Sequence, residues 1–346
     1  MLGIDSGGSK SIGVLMNDEG RILGIGFAGP TNLYFVSEED ARVAIRTVVR
    51  QALAGSTHLA LPARADGMAP PAAGSTPPPA RIDAICFSSP GLTRTVAESA
   101  LEGLVTPGQV VMEDDAPSAF LGALAGQDGV VVLAGTGSFA YGRRQGTVKV
   151  IGGWGPLLGD EGSGYWIALE AIRAVIRAFE RRGPETGLSE KLRSTLHYGF
   201  ETELRRIVYS STMTRHRLAG LAMLVSEAAR EGDAVARAIL LEAGRQLGEL
   251  ACSVATLLEW EDESFPVSLT GGVARSGPVL TEAFVERVKA SFPRAHWTPP
   301  RYEPYVGAAL RALEALGTVP GEAMLNRLDA EVSGIAAQVR KGGLAS

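Results

Sequence analysis

The chain has 346 residues, 45% hydrophobic and 21% charged, with a net charge of −5. That length suggests about two domains and ample buried cores. The composition is globular rather than disordered, and the slight acidity argues against nucleic acid or an anionic membrane as the main partner. No run of apolar residues is long enough for a membrane-spanning helix, and no signal-type leader follows Met1, so a cytoplasmic location is expected. The two cysteines, Cys86 and Cys252, each stand in an apolar run and read as core thiols. They cannot make a four-cysteine cluster or zinc site. The four histidines, His58, His197, His216 and His296, show no metal-ligand spacing.

The first element raises a question. Residues 3–11 read GIDSGGSKS. A P-loop needs lysine directly after its second glycine, whereas here Ser9 follows Gly8 and Lys10 comes one place late. A P-loop also runs into a helix. The segment SIGVLM at 11–16 has β-branched residues and no helical period, so the pattern predicts a strand, a glycine bend and a second strand. Asn17-Asp18-Glu19-Gly20 supplies turn chemistry before a third strand at 21–27. Residues 38–54 show the spacing of an amphipathic helix.

The 54–80 segment holds six prolines and three glycines without periodicity and reads as a flexible Pro/Ala-rich loop insertion. Apolar runs predict strands at 81–88, 109–112, 129–134 and 265–269. Helices are expected after Asp115, after Asp160 or Ser163, through most of 187–260, and at 304–317 and 320–338.

Two segments, 2–11 and 129–138, share one plan: an apolar strand, a small-residue turn and a second β segment. This suggests a duplicated α/β unit facing itself across a cleft. Gly7-Gly8-Ser9 and Gly135-Thr136-Gly137-Ser138 let backbone N–H groups approach an anion, because no Cβ is in the way. Asp5 adds a carboxylate able to hold a hydrated Mg²⁺. Read alone, each turn could equally be a plain hairpin bend. Asp115 at a strand-to-helix junction could be a general base or a helix cap, and Asp160-Glu161 could be cap and dipole residues. Thr270-Gly271-Gly272 ends another buried strand.

The order of these motifs resembles the sugar-kinase, actin and heat-shock ATPase superfamily. Within it the chain is similar to the BadF/BadG/BcrA/BcrD-type ATPases, in particular their N-acetylglucosamine kinase-like branch. The resemblance rests on GIDSGGSKS, Thr31-Asn32, Asp115-Ala116, LAGTGS, the GGWG…GDEGSGYW block at 152–166, and LTGGVARS.

It implies an α/β fold of two ribonuclease H-like (actin-like ATPase) domains. The smaller would take 1–115 plus about 308–346, and the larger 116–307. It implies ATP-dependent phosphorylation of an amino sugar, N-acetylglucosamine at the 6-hydroxyl first, with glucosamine, N-acetylmuramic acid or glucose as alternatives. An ATP-dependent activase or a sugar sensor is more distant. Asp115 would be the base. Asn32, Asp115, Ser138, Gly153, Trp154, Gly155 and Asp160 would bind the sugar. Gly7, Gly8, Ser9, Lys10, Gly135, Thr136, Gly137, Gly271 and Gly272 would contact ATP, and Asp5 would organise Mg²⁺. Two positions depart from the family pattern on the sugar side, Phe139 and Ser89-Pro90-Gly91. The expected partners are a sugar and ATP, not nucleic acid and not a membrane; a homodimer stays open as the assembly.

Overall fold

The computed structural model describes residues 1–7, 10–55 and 79–342, with the side chains of 336–342 excepted. Gly8, Ser9 and most of the expected 54–80 insertion lie outside the described residues. The chain divides into two units, Met1–Gln127 with Arg301–Ser346, and Asp128–Pro300.

The first unit opens with β1 (Leu2–Ser6), β2 (Ser11–Met16) and β3 (Ile22–Ala28), then α1 (Glu38–Ala54). It continues with β4 (Ala80–Ser88), α2 (Arg94–Leu101), β5 (Val105–Glu113) and α3 (Asp115–Leu124). Its sheet runs β3-β2-β1-β4-β5. The first three strands form an antiparallel meander, and β4 and β5 add in parallel. The hairpin expected around 3–11 is present, with Ser6 paired to Ser11.

Helix α1 begins where the sequence predicts. Ser37 caps it by accepting the Asp40 amide at 3.1 Å, and three acidic residues in the first turn complement the helix dipole. Ala41, Ile45, Val48 and Val49 face the sheet, so closely that Gly26 is needed: a Cβ there would lie 2.0 Å from the Val48 carbonyl.

Strand β5 starts at Val105, earlier than the predicted Gln109. Thr106-Pro107-Gly108 reads as a turn, but β5 is the edge of its sheet, where a proline costs no needed ladder bond.

The second unit repeats the plan. It comprises β6 (Gly129–Ala134), β7 (Ser138–Arg144), β8 (Thr147–Gly152), α4 (Gly164–Phe179), α5 (Leu188–Leu196), α6 (Leu204–Val208), α7 (Arg215–Gly220), α8 (Ala222–Arg230), α9 (Ala234–Leu257), β9 (Pro266–Thr270), α10 (Pro278–Ser291) and β10 (His296–Trp297). Its order, β8-β7-β6-β9-β10, matches the first sheet strand for strand, with the same antiparallel meander and parallel pair. Strand β6 is Val-rich and buried at every position but half-buried Leu133, as a central strand covered on both faces requires. The helices α4 to α9 fill the connection between β8 and β9, and their apolar faces make the larger core.

The chain then returns to the first unit with α11 (Pro304–Ala315) and α12 (Glu322–Gly342). Helix α11 packs on α3 and β1 at near backbone contact: a Cβ on Gly307 would lie 1.8 Å from the Ser118 carbonyl, and one on Gly3 would lie 2.0 Å from the Ala309 amide. This packing holds α3 and the start of α11 in the first unit. The division therefore runs after Gln127 and Pro300, where the sequence reading draws it after Asp115 and near 307. Among the described residues, no helix is long and apolar enough to cross a membrane.

Candidate active site

In the first unit the end of β1 and the start of α3 bring two acids together. Asp115 is the first residue of α3, and the cap position belongs to exposed Asp114, whose side chain makes no capping bond. The cap alternative for Asp115 thus falls one residue away. Burial and the neighbouring Asp114 raise the Asp115 carboxyl to about 6, against a hydrogen bond from its own amide. Asp5 is pushed up to about 7 by burial, then by the negative charges of Asp115 and Glu303, against a bond from Ser88 and the charge of Lys10. Crowded carboxylates resist ionising together, and a cation would relieve both.

Mg²⁺ takes one or two carboxylates plus phosphate oxygens and keeps several waters. Asp5 beside Asp115 suits that mode. A cage built from protein alone does not arise, since the described residues hold no cluster of three or more potential ligands.

Behind Asp115 a polar knot fixes the β5–α3 junction. The Glu113 carboxylate accepts from Ser118 Oγ at 3.0 Å and from Cys86 Sγ at 3.6 Å. Its other oxygen accepts from Arg311 Nε of α11 at 2.9 Å. Burial raises the Glu113 carboxyl despite Arg311. Cys86 is buried, as the sequence predicts.

Asn32 is buried, and its Oδ1 accepts the Tyr34 amide at 2.9 Å. Neighbouring Thr31 ties this turn to two places: its amide donates to Ser6 Oγ at 3.0 Å, and its hydroxyl lies 2.9 Å from Ser89 Oγ. The segment 31–32 is thereby set against the turn at 89–91 and the residue after Asp5. Of the first glycine bend, Gly7 donates to the Lys10 carbonyl at 3.1 Å, and Lys10 is exposed.

In the second unit the turn after β6 is braced from three sides. The Gly135 amide donates to the Gly137 carbonyl at 2.9 Å. The first amides of α4 donate back to the turn, Gly164 to Gly135 at 2.8 Å and Tyr165 to Thr136 at 3.4 Å. Asp160 lies buried in the left-handed region, φ 62°, which non-glycine residues seldom adopt. Its Oδ1 accepts the Ser138 amide at 3.3 Å, and its Oδ2 pairs with Arg215. The cap of α4 is Ser163, not Asp160.

Ser138 Oγ donates to the Glu161 carbonyl at 2.8 Å, and the Gly153 amide donates to the Ser138 carbonyl at 2.9 Å. The 152–160 block is thus seated on the turn. Gly153 and Gly155 take positive φ values of 74° and 85°. Trp154 is 74% exposed, so it is not a core aromatic.

A cavity of about 500 Å³ opens beside the same turn, lined by Gly135, Thr136, His216, Met223, Gly272 and Ser276 among others. That volume suits a small-molecule ligand. Gly271, at φ 94°, passes so close to β6 that a Cβ would lie 2.5 Å from the Ala134 carbonyl. By contrast Gly7, Gly135 and Gly272 have no neighbour within 4 Å of where a Cβ would stand, and none has positive φ. Neither packing nor conformation demands glycine at these three positions, and each leaves backbone open to a closely approaching ligand.

The sequence missed the residues that grip the second turn. Arg215 and His216 lie 55 and 80 positions from their partners Asp160 and Thr136, beyond the reach of any local motif. The Glu113–Arg311 pair spans 198 positions and was equally hidden.

The model of the BadF/BadG/BcrA/BcrD ATPase family matches residues 2–312. An N-acetylmuramic acid/N-acetylglucosamine kinase of Clostridium acetobutylicum is 28% identical, covering 90% of this chain and 97% of its own. An N-acetyl-D-glucosamine kinase of Dictyostelium discoideum is 29% identical over 91% and 98%. In solved structures the same fold occurs in a ROK family glucokinase from Streptomyces griseus in complex with glucose and AMPPNP, at TM-score 0.55 and 18% identity, covering 91% of this chain and 99% of that one.

Proposed function

The chain belongs to the BadF/BadG/BcrA/BcrD ATPase family, and from that premise we propose that it phosphorylates an amino sugar with ATP, N-acetylglucosamine at its 6-hydroxyl. The names of the two sequence relatives support the sugar class. The observation that carries the chemistry is the carboxyl pair of Asp5 and Asp115 at the strand and helix ends of the first unit.

Phosphoryl transfer asks the protein mainly for positioning and charge stabilisation. Asp115 accepts the proton of the attacking hydroxyl, and a carboxyl raised to about 6 is both ionised at neutral pH and a better base than an ordinary aspartate. The amides of Thr136 and Gly137 face the phosphates, and the cavity beside the turn takes the nucleoside, with Gly272 on its wall and Gly271 next to it. The bend from Gly7 to Lys10 contributes donors from the first unit.

Asp5 holds Mg²⁺, which when bound screens the phosphate charge. Asn32, Gly153, Trp154 and Gly155 contact the sugar. Asp160 and Ser138, buried and bonded within the turn, shape the loop beside it. An enzyme of this kind works where ATP is made, in the cytoplasm.

The test is ADP release with ATP and Mg²⁺ over a panel of N-acetylglucosamine, N-acetylmuramic acid, glucosamine and glucose. The expected result is the highest kcat/KM on N-acetylglucosamine, with phosphorus coupling to C6 in the product. ADP release that does not depend on any sugar would overturn the reading.

A further inference from the structure

Arg215 is the first residue of α7, set there by Thr214, whose Oγ1 accepts the Arg217 amide at 3.2 Å. Its guanidinium pairs with buried Asp160 and lies directly over the backbone of the turn after β6. A Cβ built on Gly137 would stand 2.8 Å from Arg215 Nη2 and 2.8 Å from Asp160 Oδ2. The next residue, His216, reaches the preceding residue of the turn: its Nδ1 lies 3.3 Å from Thr136 Oγ1. Two consecutive residues of α7 therefore touch two consecutive residues of the turn, and His216 also lines the cavity.

The two members of the ion pair are not buried alike. The Asp160 side chain is 2% exposed and that of Arg215 is 41% exposed. Asp160 also holds the Ser138 amide, so its carboxylate is committed to the loop. A guanidinium carries five N–H donors, and the contact with Asp160 uses the Nη2 side. The remaining donors stand at the turn with access to solvent.

Phosphoryl transfer spreads negative charge over the oxygens of the moving group and is accelerated by fixed positive charge. We propose that Arg215 is a catalytic residue whose guanidinium donates to the transferred phosphoryl group, with Asp160 holding its orientation. The inference rests on the reading that the Gly135–Gly137 turn receives the nucleotide phosphates. In the step, the bond from the γ-phosphorus to the ADP oxygen breaks and the bond to the sugar oxygen forms. The hydroxyl proton passes to Asp115, and Arg215 stays protonated throughout.

Calorimetry with ADP and with AMP-PNP, alongside steady-state kinetics, tests this on Arg215→Met and Arg215→Lys. In R215M, kcat falls by about 10²–10³, the cost of removing one preorganised donor, while the sugar KM stays within about twofold. AMP-PNP binding weakens by about tenfold, the scale of one charge-assisted hydrogen bond, and ADP binding by about twofold or less. R215K recovers part of the AMP-PNP affinity, since it keeps the charge without the planar fork.

Equal weakening of ADP and AMP-PNP would make Arg215 a brace for the turn and overturn the proposal, as would a kcat in R215M within about threefold of the parent. Should R215M fail to fold, R215K decides alone: AMP-PNP affinity and kcat both at parental levels would also overturn it. If the parent phosphorylates no sugar, the proposed activity fails, and the comparison of the two nucleotides still decides Arg215.

Discussion

The bend after β1 and the turn after β6 occupy the same place in two sheets of identical strand order. Around the bend, the polar chemistry of the described residues is acidic: the charge of Asp115 raises the cost of ionising Asp5, and a backbone bond from Gly7 to Lys10 spans the bend. Around the turn it is donor-rich and braced, with two amides of α4, the imidazole of His216 and the Asp160–Arg215 pair all bearing on four residues. The difference follows from what fills the long connections. The helices α4 to α9 between β8 and β9 bring the second turn its partners Gly164, Tyr165 and His216, and bring Arg215 to Asp160. The two copies thus share one frame, and on the proposed reading they divide the work: proton acceptor in one, phosphate donors in the other.

The strongest way to break this division is Asp115→Asn. It keeps the shape of the α3 start and removes the proton acceptor, so kcat should fall by about 10²–10⁴. Nucleotide affinity should hold, because the proposed ATP contacts lie on the glycine turns and not on Asp115. The melting temperature should hold too, since Asp115 is not the cap. Asp114→Asn, one residue earlier and exposed, should stay near the parent. If Asp114→Asn is the crippled variant, or both are near normal, the proton acceptor lies elsewhere.

A pair of glycine substitutions sharpens the contrast between fold and site. Gly3→Ala drives a methyl into the backbone of Ala309 at 2.0 Å, and overpacking of this kind costs roughly 1–3 kcal/mol or more, visible as a lower melting temperature with normal nucleotide affinity in the folded fraction. Gly135→Ala meets nothing within 4 Å, so the fold should be unchanged. Its added methyl should lower ATP affinity by roughly tenfold, an effect of about 1.4 kcal/mol. A stable G3A, or a G135A that binds ATP as the parent does, would undo the distinction.

The smallest expected effect probes the helical layer. Asp233 caps α9 by accepting the Ala236 amide at 2.8 Å, and it also holds the Gly187 amide at 2.7 Å and Thr186 Oγ1 at 2.9 Å ahead of α5. Burial would raise its carboxyl, but these bonds outweigh it and hold the pKa below the ordinary value. A depressed folded pKa stabilises above the unfolded value and loses that contribution as pH falls through the folded one. Asp233→Ala should therefore cost about 0.5–2 kcal/mol at neutral pH, shrinking below about pH 4 where the parent's aspartate also protonates. Urea melts at pH 7 and pH 3 read both values, and an unchanged difference between them would refute the assignment.

What could be read from the sequence was what local pattern encodes. The Val-rich run at 129–134 and the amphipathic period at 38–54 returned as β6 and α1 to the residue. The two glycine turns were visible because small residues after an apolar strand are a local signal. Register between a cap and its neighbour was not, which is why Asp114 and Asp115 needed coordinates to separate. An edge position forgives a proline, so β5 ran further back than its apolar run suggested. The residues that brace the second turn and the β5–α3 junction, Arg215 and His216 in the one and Glu113 and Arg311 in the other, meet their partners through packing of segments distant in sequence, and no periodicity in their own segments marks them.

The route of the chain through its two units has a consequence for how the protein is made. Residues 128–300 are continuous and can complete a core as soon as they leave the ribosome, whereas the first unit waits for α11, whose backbone lies against β1 and α3. During synthesis, the opening sheet therefore stands with one apolar face uncovered until the chain passes Pro304–Ala315, while the later-made unit is already folding. The order of emergence and the order of completion are reversed. A nascent chain halted before residue 304 should carry a protected second unit and a first unit still open to proteases and chaperones.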